Sequence, residues 1–124
     1  MTEKHNAKDA AAQLPLSPPM FHVLLALADG EKHGYAIMKD VALRTDGKVK
    51  LSAGTLYGIV ARLLTEGMIA ELRRRPAPAL DDERRRYYQL TEFGRRVAIA
   101  EVERMEEALA LARSKRLLAR VRMA

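Results

Sequence analysis

Two arginine triplets, Arg73-Arg74-Arg75 and Arg84-Arg85-Arg86, frame a loop that carries Pro76, Pro78 and the acids Asp81, Asp82 and Glu83. Brought together across a hairpin, their guanidiniums offer forked N–H donors that suit phosphate oxygens or the negative minor groove of a duplex. Two readings stand for this cluster: the acids neutralise half of it in a solvated loop, or it touches nucleic acid directly. A second group lies upstream, Ser52-Ala53-Gly54-Thr55, opening a helical pattern with no acidic residue before Glu66. Such a helix start presents unpaired backbone N–H groups and two hydroxyls to a phosphate oxygen or a base edge. Capping alone accounts for Ser52 equally well, because serine is a preferred N-cap in any helix.

Other chemistry finds little support. The chain has no cysteine, which removes disulfides, thiolate metal sites and cysteine nucleophiles. His5, His22 and His33 lack a metal-ligand spacing, and neither a Ser-His-acid set nor a Gly-rich phosphate loop is present. The sequence therefore argues against an enzyme, and no metal or cofactor is expected. A formal net charge of +6 favours a polyanionic partner. The stretch from Met1 to Leu14 has no apolar signal core, and no run approaches the roughly 18 apolar residues of a membrane span. The expectation is a cytoplasmic protein with no membrane partner.

The elements that would position these groups follow from periodicity. Hydrophobic residues at 48 % and charged residues at 31 % match a globular chain rather than a disordered one, and 124 residues leave room for a single domain. Residues 1–13 have no apolar stripe and read as a loose arm. Ser17 followed by two prolines opens a first helix with Met20, Phe21, Leu24, Leu25 and Leu27 at helical spacing, ending at Asp29-Gly30. A second runs from Gly34 to Arg44, with Ile37, Met38 and Val41 on one stripe, and stops at Thr45-Asp-Gly47. The alternation in Lys48-Val-Lys-Leu51 predicts a brief strand. The third helix spans about Ala53 to Glu66, burying Leu56, Ile59, Val60, Leu63 and Leu64, with Gly67 as its stop. Thr55, Tyr57, Gly58, Arg62 and Thr65 then lie away from that stripe. Met68 to Arg73 and Arg86 to Leu90 read as a β-hairpin, and Thr91 caps a last helix reaching about Arg122, or about 45 Å at the usual rise.

Helix, helix, short strand, helix and ribbon is the order of a winged helix, in which a later helix can enter the major groove and the ribbon is the wing. The fold class is therefore mainly α with a small β-hairpin: a winged helix-turn-helix over residues 14–90, then a long C-terminal dimerisation helix over 91–124. Double-stranded DNA is the partner this order suits. A winged helix used only for protein contacts is the competing reading, since fold alone does not fix function. The candidate DNA-contacting residues are Ser52, Ala53, Thr55, Tyr57 and Arg62 on the third helix, with Arg73, Arg74, Arg75, Arg84, Arg85 and Arg86 on the wing.

In the last helix Ala98, Val102, Met105, Leu109 and Ala112 recur at steps of four and three, the seam of a helix that packs on another. A helix that outreaches so small a domain would leave this stripe in water, so a second copy of the chain is the expected partner. Met20, Met38, Met68, Met105 and Met123 suit ordinary core filling or an adaptable ligand cavity.

Several strings resemble the PadR family of transcriptional regulators: His33-Gly-Tyr35, Leu51-Ser-Ala-Gly-Thr-Leu-Tyr57, Arg62-Leu-Leu-Thr-Glu-Gly-Met-Ile69 and Arg86-Tyr-Tyr-Gln-Leu-Thr-Glu-Phe-Gly94. Their order and spacing cover roughly Leu16 to Ala112, and the chain as given resembles the short form of the family. The resemblance implies a homodimeric repressor that binds a palindromic operator and releases it on binding a small-molecule effector. It implies that Ser52, Thr55 and Tyr57 belong to the DNA-facing turn and that His33 and Tyr35 support it. Ala53 stands where many relatives have proline, the loop from Arg74 to Arg85 is longer than usual, and the tryptophan that drug-binding members use is absent.

Overall fold

Side-chain caps start each of the four longer helices. In the computed structural model, which describes residues 7–72 and 86–118, Ser17 Oγ accepts from the Met20 amide and Thr91 Oγ1 from the Gly94 amide. His33 Nδ1 accepts from the Ala36 amide, and Ser52 Oγ from the Thr55 amide. Each cap satisfies an amide that the helix itself leaves without an acceptor. The chain order is α1 (Ala7–Ala12), α2 (Pro18–Ala26), β1 (Lys32–His33), α3 (Gly34–Arg44), α4 (Ala53–Thr65), β2 (Ile69–Glu71), β3 (Tyr87–Leu90) and α5 (Glu92–Ser114). The mainly helical winged-helix class, with a small sheet and a long C-terminal helix, agrees with the expectation.

The core gathers Met20, Val23, Leu24 and Leu27 from the α2 region, Ile37 and Val41 from α3, Leu56, Val60 and Leu63 from α4, and Phe93 and Val97 from α5. Ile59 and Leu64, expected inside, are only partly buried against it. Met20 and Met68 are buried core residues, which accords with the core-filling reading for these two. The end of α4 is a Schellman turn: Met68 N donates to Leu63 O at 2.9 Å and Gly67 N to Leu64 O at 3.1 Å, with Gly67 at φ 80.

Four local expectations need correction. Residues 48–51 form no strand: Thr45 Oγ1 donates to Val41 O at 2.8 Å and accepts from Val49 N at 3.0 Å, so the hydroxyl takes the amide a sheet would have used. The third strand is instead β1, pairing Lys32 with Tyr88 and His33 with Tyr87 in an antiparallel sheet of order β1-β3-β2. Two residues are too few for alternation to register. The arm expected over residues 1–13 contains α1, packed against α5 with Ala10 buried. Its contact is made by alanine, which allows close approach without a stripe of large apolar residues. Finally, α2 ends at Ala26 rather than at Asp29-Gly30.

The last helix also stops early, at Ser114 rather than about Arg122. Arg116 turns left-handed at φ 62 and Leu117 N reaches back to Ala112 O at 2.9 Å, a stop made without glycine or proline to announce it. Its 23 residues span about 34 Å. Among the described residues, its buried positions are Phe93, Gly94, Val97 and Glu101, all in its first part. Glu101 is 1 % exposed and is the last of these. Both its oxygens accept from Arg104, each at 2.9 Å. The Arg104 hydrogen bonds hold its carboxyl below the ordinary range against the opposing effect of burial.

Candidate nucleic-acid interface

The sequence from Ser52 to Thr65 divides α4 into two faces. Leu56, Val60 and Leu63 anchor it to the core, whereas Ser52, Ala53, Gly54, Thr55, Gly58, Ala61, Arg62 and Thr65 are exposed on the outside. Side chains built at Gly54 and Gly58 would meet only open space, so among the described residues nothing crowds these two positions. The Ser52 hydroxyl donates to Thr55 Oγ1 at 3.0 Å while accepting from the Thr55 amide at 3.1 Å. The amides of Ala53 and Gly54 occupy the first turn, where no helical carbonyl can accept from them. The first turn has no acid, and Arg62 lies one turn before the end, 3.9 Å from the Glu66 carboxylate.

Tyr57 has a more constrained place. Its ring is half-exposed and its phenol end lies over Gly34, the first residue of α3: a Cβ at residue 34 would fall 2.8 Å from Tyr57 Cζ. His33 caps α3 at this point and meets Tyr87 edge-on at a centroid distance of 5.3 Å. Tyr35 stacks beside His33 at 6.5 Å and carries Lys39 Nζ 5.5 Å from its ring centre. The His33-Gly-Tyr35 string thus holds the start of α3 against α4 and β3.

A cleft of about 440 Å³ separates α4 from the wing, lined by Tyr57, Val60, Leu64, Glu71, Arg86 and Tyr88. Arg86 Nη1 donates to Glu71 Oε2 at 2.8 Å across the two wing strands. That hydrogen bond raises the Arg86 guanidinium further above its already high ordinary value, so its charge is fixed. Burial, followed by the nearby Glu71 carboxylate, pushes the Tyr88 phenol up. Of the six expected wing arginines, Arg73, Arg74, Arg75, Arg84 and Arg85 lie outside the described residues. Arg86 stands at the base of the wing next to α4. Glu71 escaped the sequence reading; aligning Ile69 with Leu90 would have exposed it, since that register sets Glu71 opposite Tyr88 and diagonal to Arg86.

The expected seam on α5 is in the open. Val102, Met105 and Leu109 are 40 %, 39 % and 41 % exposed, and Ile99, which the spacing argument passed over, is 51 % exposed beside them. Ala98 and Ala112, at the two ends of the seam, are partly buried.

The sequence of this fold matches the family model described as "Transcriptional regulator PadR-like family" over residues 23–100, more than half of the chain. The chain belongs to the PadR-like family. It is a transcriptional regulator of that family, whose members are not in general enzymes. Among solved structures, a transcriptional regulator from Clostridium thermocellum is 26 % identical at a TM-score of 0.63, with 77 % of this chain and 89 % of that one covered. The transcriptional regulator PA4135 is 21 % identical with the same TM-score of 0.63, covering 87 % of this chain and 71 % of that one. BpsR of Bordetella bronchiseptica, described as having its DNA binding regulated by 6-hydroxynicotinic acid, is 25 % identical at a TM-score of 0.58, over 85 % of this chain and 72 % of that one. No curated protein matches the chain. Among the described residues of this PadR-like protein, no helix is long and apolar enough to cross a membrane.

Proposed function

We propose that this PadR-like regulator binds double-stranded DNA as a homodimer, represses transcription from a palindromic operator and is released by a small-molecule effector. The observation that carries the reading is the outer face of α4: exposed, small or hydroxyl-bearing, free of acids in its first turn and flanked by Arg86. A helix with one anchored face and such an outer face fits the major groove, which is about 12 Å wide. Ser52, Ala53, Thr55, Tyr57 and Arg62 face the duplex in this reading. The wing arginines, Arg73, Arg74, Arg75, Arg84, Arg85 and Arg86, lie along its backbone or minor groove. Residues 14–90 carry this binding unit, and the helix beyond Thr91 joins two copies through Ala98, Val102, Met105, Leu109 and Ala112. The exposure of Val102, Met105 and Leu109 supports that pairing. Effector release draws its support from the similarity to BpsR, and a cytoplasmic site of action follows from a DNA target.

The test is binding to duplex DNA across a salt series. Contact with several phosphates makes log affinity fall linearly with log salt, by roughly 0.9 per phosphate engaged. An affinity that salt leaves unchanged would favour a winged helix used for protein contacts instead.

A further inference from the structure

We propose that Glu71 is a positioning residue that aims Arg86 at a DNA phosphate beside α4. The inference rests on the DNA-binding reading above and adds to it a residue whose charge has the wrong sign for DNA. The β2–β3 register sets Glu71 opposite Tyr88, and Arg86 stands two residues before Tyr88, which places the three on one face of the sheet. That face turns toward α4, because Tyr88 and Arg86 line one cleft with Tyr57, Val60 and Leu64. The Glu71 side chain is 37 % exposed, whereas the Arg86 side chain is 67 % exposed. The carboxylate takes an Nη1 donor of a guanidinium that has five N–H donors in a fixed fork. Donors remain on the exposed side of the group, at the mouth of the cleft between wing and recognition helix.

A long arginine without that partner would sample many rotamers and lose them on binding. Held by Glu71, it meets a phosphate already oriented, and the hydrogen bond to an ionised group is of the strong kind. Two effects of Glu71 therefore oppose each other: its charge repels phosphate, and its hydrogen bond orients a cation for it. Orientation prevails in this proposal, because the carboxylate's charge is already spent on Arg86 at 2.8 Å.

Opposite signs separate the two effects. Glu71→Ala, Glu71→Gln, Arg86→Ala and the double alanine variant would be assayed for duplex affinity from low to moderate salt, with circular dichroism melts to establish that each is folded. Glu71→Ala binds about three- to tenfold more weakly than the parent although it has gained positive charge, and its salt slope is shallower, as for a phosphate contact partly lost. Glu71→Gln keeps an acceptor for Arg86 and binds at least as tightly as the parent. In the Arg86→Ala background, removing Glu71 tightens binding, since only repulsion is left. Tighter binding by Glu71→Ala in the parent background, with Arg86→Ala still weakening it, would overturn the positioning role and leave the DNA reading intact. No change of affinity or slope in Arg86→Ala would overturn both the proposal and the contact assigned to Arg86.

Discussion

The phenol of Tyr57 occupies the space that any side chain on residue 34 would need: a Cβ there falls 2.8 Å from Tyr57 Cζ and 3.2 Å from a Leu56 methyl. Glycine at the start of α3 thus sets where an exposed aromatic of α4 can lie. The nearest obstructing atoms are the far end of a half-exposed side chain, which can swing outward, whereas the Leu56 methyl belongs to a buried residue and has to give way within the core. Gly34→Ala should accordingly cost about 1 kcal/mol of stability, while reducing operator affinity as much as Tyr57→Ala does. Melting and duplex binding of the two variants, measured together, check this. A variant that melts normally and binds normally would separate Tyr57's position from recognition.

Gly94 presents the opposite case. A Cβ at this position would fall 2.8 Å from the Met68 carbonyl carbon, and backbone cannot swing away. Thr91 locks the same place by donating to Gly67 O at 2.6 Å, so α5 lies directly on the turn that ends α4. Gly94→Ala should cost at least about 2 to 3 kcal/mol, lowering the melting temperature on the order of 10 °C. A melt within a degree or two of the parent would mean that α5 does not rest on this turn.

The buried Glu101 makes a prediction about acid. Its folded carboxyl is held below the ordinary value of 4.5, chiefly by Arg104, so folding favours the ionised form. The stabilisation is fully present above about pH 4.5 and is lost as pH falls through the lowered folded value. Glu101→Gln should therefore melt below the parent at pH 7, by on the order of 1 to 2 kcal/mol, since Arg104 is half-exposed and keeps its hydration. The gap should narrow as pH drops below 4.5. A gap that stays constant to pH 3 would remove the Arg104 hydrogen bonds as its source.

Charge placed in the α5 stripe tests the homodimer. Met105 and Leu109 are about two-fifths exposed in the single chain, so Met105→Glu with Leu109→Glu disturbs no core. In a two-fold seam the same change buries like charges against each other. Sedimentation should find the parent dimeric and the variant a folded monomer with much weaker binding to an inverted repeat. A variant that stays dimeric with full affinity would place the interface elsewhere.

The parts of this fold that were legible in the sequence share a physical basis. Caps and stops that use Ser17, Ser52, Thr91 and Gly67 left local signatures, and the apolar stripe of α4 marked both its anchored and its free face. What escaped was non-local or too short to have a period. The two-residue β1 exists because β3 offers it an edge, and α1 is held by alanine against α5. Arg116 ends α5 through a backbone turn for which its side chain gives no cue. At the candidate site, residue types identified the helix and the wing, but the pairing of Glu71 with Arg86 and of Gly34 with Tyr57 required the register of strands and the packing of α3 on α4.

The central claim, that two copies of α4 read DNA together, is tested most directly by selecting bound sequences from a pool of random duplexes. Two recognition helices related by a two-fold axis should enrich an inverted repeat whose half-sites are centred one helical turn apart, about 34 Å. A pool that stays random after repeated rounds, or that yields a single half-site with no inverted partner, would contradict it.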